Sequence, residues 1–132
     1  MYRILGLCLV STLCLAQGVP PDAWQGEVEG SWNVKWGGGH PRDWTIDANK
    51  SVKEGTVQDV STWTATCTVS GSEMTVTGTY TPTGSDKTTY FKYVFNMTSA
   101  KEGTGKLYFF STEKDRDKDS ASKTFDASIT KK

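Results

Sequence analysis

The residues best equipped for chemistry are few and scattered. His40 is the only histidine. It sits in Gly37-Gly38-Gly39-His40-Pro41 with no second histidine or cysteine at a zinc-ligand spacing, so an ordinary loop residue is expected. Asp43 and Asp47 fall on one side of a short alternating segment. Paired carboxylates cleave glycosides only when a cleft fixes their separation, and nothing in the spacing supplies that cleft. The Asp115-Arg116-Asp117-Lys118-Asp119 stretch has carboxylates at alternate positions, but it lacks the glycine and closing glutamate of an EF-hand, and its two cations oppose a metal ion. A solvated charged loop near 111–123 is expected, with room for a single helical turn. No metal and no cofactor is expected, no catalytic residue is assigned, and no enzyme is expected.

Binding is better represented than catalysis. The chain has five tryptophans, five tyrosines and five phenylalanines. An indole can stack on a sugar or enclose an apolar ligand while donating one hydrogen bond. Trp36 and Trp44, together with Trp24, flank breaker-rich or short segments and are the best candidates for exposed or semi-exposed contacts, with core or loop packing the plainer account of all three, whereas the alternation around Trp32 and Trp63 places those two in the core. Tyr90, Lys92 and Asn96 recur at even spacing opposite Phe91, Tyr93 and Phe95, offering a ring, an ammonium group and an amide on one face. Trp36, Trp44, Tyr90 and Lys92 are therefore the candidate ligand contacts. Solvated strand chemistry is the plainer account of Tyr90 and Lys92.

Fifteen basic side chains balance fifteen acidic ones, so no basic surface of the kind that nucleic acid requires organises the chain. Arg3 precedes the apolar run Ile4–Val10 and the small residue Ala16, the arrangement of a secretory signal peptide over 1–16. That run is too short for a membrane span and is followed by Gly18, Val19, Pro20 and Pro21. Cleavage there implies a secreted, extracellular protein beginning at Gln17, with an N-terminal extension over 17–28 and one β domain over 29–132. Of the three cysteines, it leaves only Cys67, a free thiol expected either in the core or at an intermolecular bond, with burial favoured by its inward-facing neighbours. Asn49-Lys50-Ser51 and Asn96-Met97-Thr98 have the spacing of N-glycosylation acceptors.

The elements that must position these groups are strands. In Val60–Val69, Trp63, Ala65, Cys67 and Val69 alternate with threonines, a period of two that suits a half-buried pleated surface. Glu29–Trp36, Asp43–Asp47, Glu73–Tyr80, Thr88–Met97, Lys106–Phe110 and Thr124–Thr130 repeat the pattern, and Ser70-Gly71-Ser72 suits a tight hairpin. No segment has a long helical period. An all-β fold follows, an antiparallel barrel or sandwich of about seven to eight strands.

Gly30-Ser31-Trp32 at the start of the first strand resembles the Gly-x-Trp signature of the calycin superfamily, which includes the lipocalins, fatty-acid-binding proteins and avidins. In lipocalins that tryptophan plugs the closed end beside a basic side chain from late in the barrel, which implies Lys131 or Lys132 as the partner here. The likeness rests on three residues. The chain is shorter than a typical lipocalin and lacks the characteristic disulfides. What it implies is carriage or sequestration of a small ligand. Export, strands and abundant tryptophan together lead to the expectation of a non-enzymatic binding protein for a small molecule or extracellular glycan. The alternative is a structural or protein-interaction module, a homodimer or larger self-assembly formed through an exposed strand edge or aromatic face.

Overall fold

The computed structural model describes residues 22–37, 39, 41–55 and 60–132. The segment expected to act as a signal peptide, its two cysteines and His40 lie outside the described residues. Eight strands follow in order: β1 (Gly30–Trp36), β2 (Arg42–Ile46), β3 (Val52–Glu54), β4 (Val60–Ser70), β5 (Glu73–Pro82), β6 (Thr89–Met97), β7 (Glu102–Phe110) and β8 (Lys123–Lys131), with a short helix α1 (Glu113–Asp117) between the last two. All the ladders are antiparallel, and the order across the sheet is β3-β2-β1-β8-β7-β6-β5-β4. Pairing of β1 with β8 curls this meander into an antiparallel barrel whose remaining seam lies between β3 and β4.

Alternation sorts the side chains as a pleated sheet requires. On β4, Ala65 and Cys67 point inward and are buried, while Thr64, Thr66 and Thr68 point outward. On β6, Phe91, Tyr93, Phe95 and Met97 are buried, and Asn96 is exposed. The link between β4 and β5 is only Gly71 and Ser72, with Gly71 at φ 59°, a left-handed conformation that glycine adopts without a Cβ clash.

Two strands differ from the expected boundaries. β3 is an additional strand of three residues, too short to show a period. β7 begins at Glu102, so Gly103-Thr104-Gly105 belongs to the strand and does not merely lead into it. A Cβ at Gly103 would lie 2.4 Å from Met97 Sδ, and one at Gly105 would lie 1.7 Å from Val94 O. These glycines mark close approach between neighbouring strands, not a turn.

One end of the barrel is filled. Trp32 is fully buried and donates its indole N–H to Val28 O at 2.8 Å, and Lys131 Nζ stands 5.2 Å from its ring centre. Lys131 is also the cross-strand partner of Trp32 on β8. Gly30, at φ 137°, leaves room for the lysine stem, since a Cβ there would meet Lys131 Cε at 2.9 Å. Ahead of β1, Val28 joins the core and Trp24 packs against it, with its indole bonded to Gly71 O at 2.9 Å.

Cys67 is buried and free. Burial outweighs the nearby Lys50 ammonium and pushes the thiol up to about 11 from an ordinary 9.0. Iodoacetamide at pH 8 is expected to label the folded chain at least about a hundredfold more slowly than the urea-unfolded chain. The shift also fixes a pH dependence. The unfolded thiol ionises first, so the stability due to Cys67 is fully present below pH 9 and is lost between there and about 11. Cys67→Ala should flatten that part of a pH–stability curve measured by urea unfolding.

Candidate functional site

The other end of the barrel is where β1, β3, β5 and β7 finish and β2, β4, β6 and β8 begin. Its inward side chains do not close over it. Trp36, Trp63, Tyr80, Phe91, Tyr93 and Phe109 line a hollow of about 220 Å³, together with Arg42, Glu54, Val60 and Pro82. The rings brace one another. Trp63 stacks on Phe91 with centroids 4.9 Å apart, and Trp36 meets Phe109 and Phe125 edge-on at 5.7 and 5.0 Å. Edge-to-face and offset packing of this kind holds aromatic walls in place without filling the space between them. Outward from Trp36, Tyr80 and Phe109 the hollow widens into a depression bordered by Lys87, Thr88, Lys123 and Phe125.

The floor carries charge. Arg42 Nη1 lies 3.6 Å from Glu54 Oε2, and the glutamate side chain is only 3% exposed. Its other oxygen accepts the Trp44 indole N–H at 3.2 Å. A buried carboxylate is tolerated when it is paired and hydrogen-bonded in this way. Just below, Tyr93 is pushed well above the ordinary tyrosine range by burial and, secondarily, by the Glu54 charge, so its phenol stays neutral.

Of the candidate contacts, Trp36 lines the cup. Trp44 does not. Offered as a contact with packing as its plainer account, it takes the packed place: it is 1% exposed and lies edge-on against Tyr93 at 4.8 Å. Although β2 is short, it is paired on both sides, with Trp44 opposite Trp32 on β1 and Glu54 on β3, so its inward residues enter the core. Trp63 was expected in the core. It does point inward, but at the rim, where it is half-buried.

Tyr90 and Lys92 lie on the outer face of β6, beneath α1. Lys92 Nζ pairs with Asp119, and the Arg116 guanidinium stands 5.4 Å from the Tyr90 ring centre. Arg116 also donates to Gly78 O at 3.0 Å, and Thr112 caps the helix by accepting from Asp115 N. The charged loop thus straps the outside of the barrel, and Tyr90 and Lys92 are not brought to Trp36.

Asn49 and Asn96 are both exposed, Asn49 in the turn closed by the Asp47 carboxylate and Asn96 accepting from Ser72 Oγ at 3.1 Å. Asp43 is occupied elsewhere. A hydrogen bond from Lys132, supported by one from Asn33, holds its carboxyl below the ordinary carboxylate range. Among the described residues, no group of three or more histidine, cysteine or acidic side chains could hold a metal ion. No helix among them is long and apolar enough to cross a membrane.

Arg42 and Glu54 carried no sequence signal. An isolated cation and an isolated acid in short strands read as surface residues, and only barrel closure turns them to one floor.

The second notable feature is the seam. Among the described residues, the ladder between its banks is reduced to the isolated antiparallel Ser51–Thr66 bridge, which includes Cys67 N–H to Lys50 O at 2.8 Å. Nearer the cup a side chain also crosses, the Trp63 indole N–H bonded to Val52 O at 3.0 Å. Strand alternation turns the backbones of Trp63 and Ala65 to the same side as that of Cys67, toward the seam. β4 is therefore a long strand backed by a short one. Its Val60–Ser70 sequence contains no charged residue and no proline. The barrel thus presents an incompletely paired seam and an accessible aromatic cluster, adjacent to each other.

Comparison with protein-family models, curated proteins and solved structures finds no match.

Proposed function

We propose that the protein is a secreted, non-enzymatic interaction module that associates with a second copy of itself through the cup-side edge of β4. The observation that carries this reading is the uncharged β4 edge facing a seam with little backbone pairing. Sheet proteins usually protect such an edge with lysine, proline or a covering element. In an antiparallel pair related by a two-fold axis, a charge close to the axis would lie near its own copy. Threonine and serine avoid that repulsion and still suit a pleated surface.

Sedimentation of the mature chain from low micromolar to millimolar concentration should show a monomer–dimer equilibrium that reductant leaves unchanged, because Cys67 points into the barrel. Thr64→Lys puts a cation on the outward face of the edge and should weaken the dimer at least about tenfold. A single monomeric mass throughout that range would exclude the reading.

A second reading, carriage of a small molecule or glycan at the open end of the barrel, is favoured by the aromatic cup. The likeness to calycins is consistent with it through the plugged far end, where Trp32 lies under Lys131.

A further inference from the structure

The cup and the seam share residues. Glu54 on β3 and Val60 and Trp63 on β4 are cup walls that stand on opposite banks of the seam. Trp63 also makes a hydrogen bond across it, to Val52 O. A molecule seated in the cup therefore touches both banks at once. If the banks part, one wall of its site is lost, so closed-seam chains bind it more tightly than open-seam chains. A ligand shifts an equilibrium by its differential affinity for the two states and by no more than that.

The chemistry of the walls defines the occupant. Trp36, Trp63, Phe91 and Phe109 offer ring faces and edges, which favours a flat, apolar molecule. The charged groups at the floor are Arg42 and Glu54, which pair with each other, and Glu54 is further engaged by the Trp44 indole. A charged ligand would give up its hydration and disturb that pair, so the site selects an uncharged one. The hollow of about 220 Å³ suits a compound of roughly two fused rings.

We propose that a planar, uncharged ring compound binds in the aromatic cup, fastens β3 to β4 and thereby opposes pairing of the β4 edge with a second copy. The last step rests on the self-association reading above, whereas the fastening step does not.

The test uses the mature chain and 2-naphthol as the probe. Energy transfer from tryptophan to naphthol should saturate. Amide hydrogen exchange is then compared at dilute protein with and without probe. With the probe at about a hundred times its Kd, the Cys67 amide, which is bonded across the seam to Lys50 O, should exchange at least about tenfold more slowly. The Met97 amide, bonded to Ser72 O at the plugged end, serves as the control and should change little. In concentrated protein the weight-average mass should fall toward the monomer as probe is added.

Absence of saturable transfer, or saturation that leaves Cys67 exchange unchanged, would overturn the fastening. A chain that is monomeric without probe refutes the antagonism and the self-association reading together, and leaves the fastening to be decided by exchange alone. A probe that slows Cys67 exchange but does not lower the mass of a dimer refutes the antagonism only.

Discussion

Trp44→Ala is expected to destabilise the barrel by about 3–5 kcal/mol, the range for removing a large buried aromatic side chain. The loss should register in urea unfolding before any binding measurement is made. Trp44 is 1% exposed and contacts Tyr93 at 4.8 Å, Phe95 at 6.3 Å and Trp63 at 6.4 Å between ring centres. It also donates to Glu54. Its removal opens a cavity and leaves a buried carboxylate with one partner fewer, and both effects have the same sign. Small domains have only about 5–15 kcal/mol of stability in all. The variant should therefore show a clearly lowered urea midpoint, and incomplete folding at 37 °C is the expected upper end. If Trp44 were instead a ligand contact at the mouth, stability would change by less than about 1 kcal/mol, the scale of a surface substitution.

Gly105→Val should be comparably damaging for a different reason. The first atom of any side chain at Gly105 would lie 1.7 Å from Val94 O, 2.8 Å from Val94 C and 2.9 Å from Phe95 Cα. These are backbone atoms of the paired strand, which no rotamer change can clear, so β6 and β7 would have to separate. Gly105 faces Phe95 across that ladder and Ala127 on β8, so movement there disturbs two ladders together. A loss of roughly 3 kcal/mol or more is expected by thermal or urea unfolding, at or beyond the upper range for overpacking. Gly84→Ala is the useful contrast. A Cβ at Gly84 meets nothing within 4 Å, and only its φ of 83° opposes the change, so the cost should stay near 1–2 kcal/mol. If Gly105→Val unfolded at the same urea concentration as Gly84→Ala, the close approach of β6 and β7 would be refuted.

The strands were legible where alternation ran long enough to count. Val60–Val69 and Thr88–Met97 each show several inward and outward positions, and those positions point as expected, including Cys67. β3 was not legible, because three residues cannot show a period. The glycines of β7 misled for a related reason. A glycine in an isolated segment signals flexibility, and only the partner strand reveals that it is there for want of space. Trp44 stayed open between contact and packing because a short strand beside a loop looks peripheral until it is seen to be paired on both sides. The candidate site was legible only in part. Trp36 was identified, but its companions Arg42, Glu54 and Tyr80 come from three other strands, and no local pattern links them.

The amino-acid order by itself determined an all-β chain, the side of each long strand that turns inward, the hairpin at Gly71 and the burial of Trp32. These depend on a two-residue period and on local backbone freedom, properties that neighbouring residues set between themselves. Only the tertiary structure decided that the sheet curls into a barrel with a thinly paired seam, that α1 straps Tyr90 and Lys92 to the outside, and that rings from distant strands leave a cup at one end. Those outcomes depend on which strand lies beside which and how far each extends past its neighbour, and such long-range pairings leave no periodic trace along the chain.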